Sequence, residues 1–224
     1  MMYQSLKERF SHLYTLISGE RFLKKQGLGN EVPFFICAYA PQEAVDVGKY
    51  VKSLIKRLEN SGIRVLHIDL YDLSVDLLKE RDIWNRILDM ERDISKEELK
   101  ELLQGVLDPA EHLVPAIGFL MEKYPHDVIF LTGVGEVFPY IRSHNILNNL
   151  QSTAKDKPTV MFFPGEYTYS LESGASLDLF GRLHDDKYYR AFNIFQCAFF
   201  CKMARRNPDE LFSQPNSYIP FLNK

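Results

Sequence analysis

"PFFICAYAPQEAVDVGKYVKSLIKRL", residues 33–58, passes from a compact apolar run into an amphipathic segment. The run at 33–40 has strand length and apolar residues at consecutive positions, which is typical of a strand covered on both faces. Pro41 suits the first position of a helix, and the segment 42–60 places apolar side chains on one face: Val47, Val51, Leu54, Ile55 and Leu58. A buried strand followed directly by a helix predicts one unit of a parallel α/β sheet.

The same alternation continues along the chain. Further strands are predicted at 62–70, 127–133 and 158–165, with a weaker candidate at 188–195. Helices are predicted at 2–18, 71–90, 95–104, 109–123 and 139–152. This order predicts a three-layer α/β sandwich with a mostly parallel sheet of about five strands. We expect one domain over 1–224, with a helical insertion at 71–123 and an irregular tail at 207–224.

Composition narrows the class of protein. The chain has 224 residues, a net charge of −3 and 46% hydrophobic residues. This balance fits a globular domain and does not favour direct nucleic-acid binding. Three cysteines indicate a reducing cytoplasmic compartment, and no apolar run reaches the length of a membrane span.

Gly48-Lys49 raises the question of a phosphate-binding P-loop. That motif needs two glycines with four residues between them, then Lys and Ser or Thr, so that backbone amides and the Lys can hold phosphates. Here Glu43 stands at the first glycine position and Tyr50 at the hydroxyl position. Gly48 and Lys49 also fall inside the predicted helix. The sequence therefore predicts a P-loop-NTPase-like layout without a working phosphate site, with Gly48 allowing close helix packing and Lys49 solvated.

Acidic residues follow three of the predicted strands. Asp69, Glu136 and Glu166 would meet at the carboxyl edge of a parallel sheet, where three carboxylates could bind Mg²⁺ for a nuclease or phosphatase. The alternative is that Asp69 and Asp72 cap the helix that starts near Tyr71, and that the two glutamates serve turns or ion pairs. No cofactor is predicted, and no other metal site is predicted.

The segment "GVGEVFPYIRSHN" (133–145) and the nearby "FFPGEY" (162–167) combine large apolar with charged residues. Such a composition near a sheet edge favours a protein-docking surface over catalysis. The candidate interaction residues are Glu136, Val137, Phe138, Tyr140, Arg142, His144, Glu166 and Tyr167.

A longer pattern resembles a known family. "LTGVGEVFPYIRSHNILNNLQ" (131–151), "KPTVMFFPGEY" (157–167) and "DLFGRLHDDKYYRAFNIF" (178–195) are similar, in this order, to members of the BrxB family. Members of that family are encoded in bacterial BREX (bacteriophage exclusion) loci. The resemblance implies antiviral defence alongside an alkaline-phosphatase-like protein (PglZ), an ATPase and a DNA methyltransferase. It supplies no catalytic residues.

Together, the resemblance and the defective P-loop favour a non-catalytic adaptor that binds other BREX proteins, with PglZ as the expected contact. The alternative is an enzyme, either a metal-dependent nuclease or phosphatase or a degenerate NTPase. No membrane association is expected.

Overall fold

The computed structural model of the protein describes residues 5–26, 33–170, 174–180, 183–186 and 191–195. The helices are α1 (Leu6–Ile17), α2 (Glu20–Leu23), α3 (Ala44–Asn60), α4 (Leu70–Glu80), α5 (Trp84–Met90), α6 (Lys96–Val106), α7 (Val114–Lys123) and α8 (Ser143–Leu150). The strands are β1 (Phe34–Tyr39), β2 (Val65–Asp69), β3 (Val128–Thr132), β4 (Thr159–Ser170), β5 (Gly174–Leu179), β6 (Leu183–Asp186) and β7 (Phe192–Asn193). A 3₁₀ turn (Pro41–Glu43) leads into α3, and a π-helical turn (Pro109–Leu113) leads into α7.

The sheet is mostly parallel. Five strands follow one another in the order β2-β3-β4-β1-β7, and every neighbouring pair on this path is parallel. The predicted α/β class and mostly parallel sheet are confirmed. β4 does not end at residue 165 but continues to Ser170 and pairs antiparallel with β5, which pairs with β6. The sequence analysis missed this extension.

Alternate side chains of the central strands enter two separate cores. Phe35 of β1 and Phe130 of β3 pack with α1 and α3, whereas Ile36 and Ile129 face the helices that follow β2 and β3. Both faces of these strands are therefore covered, which explains their nearly continuous apolar sequence. The helices and the sheet form three layers, with α1 and α3 on one face.

The helix after β1 begins as expected, but Gly48 does not have the role predicted for it. Gly48 lies inside α3 on its exposed side, and a Cβ added there would meet no atom within 4 Å. The prediction that this glycine allows close packing is wrong, because the apolar face that contacts the sheet is formed by Val47, Val51, Leu54 and Leu58. Lys49 is exposed and pairs with Asp46 at 2.8 Å, as expected for a solvated residue.

Several predicted bounds change. The helix expected over 71–90 divides into α4 and α5, because Asp82 adopts a left-handed φ of +56° that a helix cannot continue through. The helix expected over 139–152 starts only at Ser143, after turns that include Pro139. Of the candidate strand 188–195, Phe192–Asn193 forms β7, while 188–190 and the tail 207–224 lie outside the described residues. Within the described ranges, no helix combines the length and apolar content needed to cross a bilayer.

Candidate functional site

The carboxyl ends of β1, β2 and β3 bring polar side chains together on the face that carries α3. β1 ends at Tyr39, β2 at Asp69 and β3 at Thr132, and Asp69 and Thr132 are direct partners in the ladder. Ligands gather at this edge in open α/β sheets. The edge is therefore where a functional site is expected.

Asp69 is a helix cap whose acceptors are engaged. Its Oδ1 accepts hydrogen bonds from the backbone N–H of Tyr71 (3.0 Å) and of Asp72 (3.2 Å), at the start of α4. Its Oδ2 accepts the hydroxyl proton of Thr132 at 2.7 Å. These are the roles that an N-cap carboxylate performs, and they confirm the cap alternative for Asp69.

Gly133 makes room for that cap. It has a φ of +75°, and a Cβ built on it would lie 2.5 Å from Asp69 Oδ1. A side chain here would displace the carboxylate from the helix terminus. The glycine in "LTG" is thus required by the approach of Asp69, in addition to its backbone conformation.

His67 extends the same hydrogen-bond chain. Its Nε2 lies 2.9 Å from Thr132 Oγ1. Since the single hydroxyl proton of Thr132 goes to Asp69, His67 Nε2 must donate. The pKa of His67 is lowered, chiefly because loss of surrounding water disfavours the charged imidazole, although Asp69 opposes this shift.

Glu136 and Tyr39 lie close enough to this series of hydrogen bonds for its charged groups to shift their pKa values. The pKa of Glu136 is raised, first by partial burial and then by the carboxylates of Asp69 and Asp72. Burial raises the pKa of Tyr39 to about 12, and the charges of Glu136, Cys37 and Asp69 add to the shift. Tyr39 therefore stays a neutral phenol near neutral pH.

An aromatic surface borders these carboxylates. Phe138 meets Phe180 edge to face with ring centroids 6.2 Å apart, and Phe180 also lies against the backbone of Gly135. Tyr140 donates to the backbone oxygen of Glu136 at 3.3 Å, and its pKa is raised by burial and by the nearby Tyr71 and Glu136. We call Tyr71, Phe138, Tyr140 and Phe180 the aromatic rim. Tyr71 is 40% exposed and Phe180 is 39% exposed.

The predicted interaction residues divide into two groups. Glu136, Arg142 and Glu166 are exposed, and Phe138 and Tyr140 are half-buried. The other three residues, Val137, His144 and Tyr167, are buried. The expectation that their side chains are available to a partner is therefore wrong. Val137 packs in the core on the α4–α8 side of the sheet, and the Tyr167 hydroxyl donates to the backbone oxygen of Ala191 at 2.6 Å.

The three carboxylates of the predicted metal site lie in different structural surroundings. Asp69 caps α4, Glu136 is exposed in the turn after β3, and Glu166 stands opposite Asp178 in the β4–β5 ladder. Among the residues that the structure describes, no group of three or more His, Cys, Asp or Glu side chains is arranged to hold a metal ion. The expected convergence of Asp69, Glu136 and Glu166 therefore gains no support.

The turn after β1 is occupied by the chain's own side chains. Glu43 Oε2 accepts from the backbone N–H of Ala40 at 3.1 Å, and Arg9 Nη1 pairs with the same oxygen at 2.9 Å. Arg9 Nη2 also donates to the backbone oxygen of Ala38 at 2.7 Å. In a phosphate cradle the backbone amides would be free for the anion. Here the Glu43 carboxylate already accepts the backbone N–H of Ala40, where a phosphate would have to bind.

Sequence reasoning missed four contributors to this region: Tyr39, Tyr71, Thr132 and Phe180. Thr132 could have been found, because it lies near the end of the predicted strand 127–133, which was expected to run parallel to the strand 62–70 that contains Asp69. Phe180 could not, because the antiparallel strands that carry it toward Gly135 were not predicted.

Comparisons with known proteins place the chain in a family. The family model described as "BREX protein BrxB" matches residues 66–194. A curated "BREX protein BrxB" of Bacillus cereus (strain H3081.97) is 35% identical over 191 residues, covering 84% of this chain and 97% of the relative. Another of Escherichia coli O9:H4 (strain HS) is 31% identical over 189 residues, covering 84% and 91%. No solved structure matches the chain significantly. The family model and both relatives agree over most of the sequence, and the chain belongs to the BrxB family.

Proposed function

We propose that this chain is a non-catalytic adaptor of a bacterial BREX phage-defence system, acting in the cytoplasm. Membership of the BrxB family supports the defence role. The observation that carries the adaptor role is the aromatic rim, which leaves Tyr71 and Phe180 exposed beside Glu136 at the carboxyl edge of the sheet. Exposed aromatic side chains next to charges are typical of protein-binding surfaces.

The chemistry of the rim describes the partner surface that fits it. Aromatic side chains take up apolar groups, and the carboxylates of Glu136 and Asp72 favour positive charge nearby. We propose the PglZ-like component as the protein that supplies this apolar and basic surface. Asp69 holds one residue of the rim in place, because its Oδ1 accepts the backbone N–H of Tyr71.

We also propose that the sheet has a P-loop-like layout that has lost its phosphate site. β1 lies inside the sheet between β4 and β7, and the connection through α3 crosses to the opposite edge strand β2. The Glu43–Arg9 pair at the turn after β1 supports the loss of nucleotide binding. Among the described residues, the enzymatic alternatives, a nuclease, phosphatase or degenerate NTPase, have no comparable geometric support.

The test compares binding of purified rim variants to the purified PglZ-like component of the same locus. Tyr71→Ala removes an exposed ring, and Phe180→Asn removes another while keeping a residue that tolerates the φ of +57°. We expect the double variant to bind at least about tenfold more weakly, as for removal of aromatic anchors in an interface. Leu88→Ala is the control, because Leu88 is similarly exposed but lies on α5.

Two outcomes would contradict the proposal. One is recovery of no other BREX component with the tagged chain from a strain carrying the complete locus. The other is a folded double variant that binds and defends as well as the control. Substitution of Glu136 and Glu166 with Gln separates the enzymatic alternative: retained defence in a folded variant counts against catalysis by these carboxylates.

A further inference from the structure

In the described part of the structure, β2 is an edge strand of the sheet. Within the described part of the chain, β2 pairs only with β3. Its sequence, Val65-Leu66-His67-Ile68-Asp69, contains neither the proline nor the lysine with which sheet edges are commonly protected. An edge of this kind can accept another strand.

The hydrogen-bonding groups on that side can be identified. The Arg64 carbonyl accepts from the backbone N–H of Asp127 (2.9 Å) and of Val128 (3.3 Å), so Arg64 faces β3. Backbone groups of successive strand residues point to opposite sides. Val65 and His67 therefore direct N–H and C=O away from β3, where the described residues supply no hydrogen-bond partner for them.

A groove of about 550 Å³ runs beside these groups. Its lining includes Val65 and His67 of β2, Glu59 at the end of α3 with Ile63 after that helix, and Tyr124 and Pro125 before β3. The Tyr124 ring is 46% exposed. The groove thus offers the outward backbone groups of β2 together with an aromatic ring.

A second aromatic ring lies next to the groove. Phe119 on α7 is 60% exposed, and Lys123 Nζ lies 5.6 Å from its ring centroid and 5.2 Å from that of Tyr124. Inside the groove, Arg64 is already paired with Asp127 at 2.8 Å. No ion pair among the described residues neutralises Glu59 in the groove or Lys123 beside Tyr124, so one basic and one acidic side chain of an occupant would match these two charges.

We propose that this groove binds a short extended segment of another protein, which adds to the sheet as a strand beside β2. The segment hydrogen-bonds to Val65 and His67 and packs an apolar side chain on Tyr124. It places a basic side chain near Glu59 and an acidic one near Lys123. This site is separate from the aromatic rim and does not depend on the role proposed for it.

A second copy of the chain fits the groove less well than an extended segment. β2 has five residues, and its outward groups at two of them allow about four hydrogen bonds to an antiparallel neighbour. Stable protein interfaces bury about 800 Å² on each partner, far more than one strand pair this short supplies.

The probe for the test is a displayed library of random peptides of about twelve residues, long enough for a strand that spans the groove. It is selected against the purified full chain. Binding of the selected peptides is then mapped on the wild-type chain by residue-resolved amide hydrogen exchange. We expect the amides of Val65 and His67 to exchange at least about tenfold more slowly when peptide is bound.

Tyr124→Lys provides the matching variant, because it removes the ring on which the apolar side chain of the segment packs. We expect it to weaken peptide binding about tenfold. Leu88→Lys is the control, because Leu88 is about as exposed as Tyr124 but lies on α5, outside the lining of the groove. It should leave peptide binding unchanged.

Three results would overturn the proposal. The first is a selection that yields no binding peptide. The second is protection confined to amides outside β2, including those of the aromatic rim. The third is protection of Val65 and His67 that rises with protein concentration without peptide, together with a dimer in sedimentation equilibrium, which would make a second copy the occupant.

Discussion

Gly133 follows Thr132 at the end of β3 and lies against the carboxylate that caps α4. At the residue scale, single contacts of this kind hold the strand ends in register with the helices that follow. Asp69 accepts two backbone N–H groups and one hydroxyl, so both of its oxygens have structural roles. Such a carboxylate is a poor candidate for catalysis because its acceptors are already used.

Gly133→Ala should destabilise the protein. The new Cβ would meet Asp69 Oδ1 at 2.5 Å. The alanine would also have to adopt the φ of +75° found at this position. The left-handed backbone and the weakened cap together predict a loss of about 2–3 kcal/mol in the free energy of unfolding, measured by urea denaturation.

Gly48→Ala is the control for that prediction. Gly48 lies in an exposed helical position where a Cβ meets nothing within 4 Å. Alanine there should stabilise the protein by about 0.5–1 kcal/mol. Equal stability of the Gly133→Ala variant and the wild type would show that the close approach to Asp69 has no energetic consequence.

At the element scale, an ion pair joins the beginnings of β2 and β3. Asp127 Oδ2 accepts from the backbone N–H and the Nε of Arg64 at 3.0 Å, and Oδ1 accepts from Nη2 at 2.8 Å. The bidentate geometry fixes the register of the two strands at their entry. The opposite ends are fixed by the Thr132–Asp69 hydrogen bond, so β2 is held to β3 at both ends.

Acid should remove the contribution of this pair. The hydrogen bond from Arg64 is the main cause that lowers the pKa of Asp127 from its ordinary 3.8 to about 2. A carboxyl whose pKa is lower in the folded state adds stability above its unfolded pKa, and loses it as the pH falls through the folded value. The wild type should therefore lose this contribution between about pH 4 and pH 2.

Asp127→Asn tests the assignment through urea unfolding at several pH values. Arg64 is largely exposed, so solvent screening reduces the expected difference from the wild type to about 1 kcal/mol at pH 7. That difference should shrink as the pH falls below 4. A difference that stays constant from pH 7 to pH 2 would assign the effect to packing instead of charge.

At the scale of the whole molecule, one sheet separates two cores. Phe35 and Phe130 face α1 and α3, while the neighbouring Ile36 and Ile129 face the helices on the other side. Each central strand thus contributes to both cores. This arrangement predicts that the two helical layers unfold together, as expected for one domain.

Leu54→Ala and the single tryptophan test this coupling. Leu54 is buried in the core beside α3, whereas Trp84 packs against the opposite core. Loss of a buried leucine side chain costs about 2–5 kcal/mol. We expect Leu54→Ala to lower the unfolding midpoint of Trp84 fluorescence and of far-ultraviolet circular dichroism by the same amount. A Trp84 transition that does not move would show that the layers unfold independently.

The amino-acid sequence by itself determined the elements whose signals are local. The apolar runs of β1 and β3, the amphipathic face of α3 and the cap at Asp69 follow from spacing and residue type, which act within a few neighbouring residues. The sequence also shows that a complete P-loop motif is absent at Gly48-Lys49, because Glu43 and Tyr50 stand where glycine and a Ser or Thr hydroxyl are needed.

Only the tertiary structure decided which of the candidate residues are accessible. The packing of distant elements buries Val137, His144 and Tyr167, and the β4–β5 pairing brings Phe180 over Gly135. Among the residues that the structure describes, it also leaves the outer side of β2 without a neighbouring strand. Burial and strand order depend on contacts between residues far apart in sequence, and no local pattern of spacing records them.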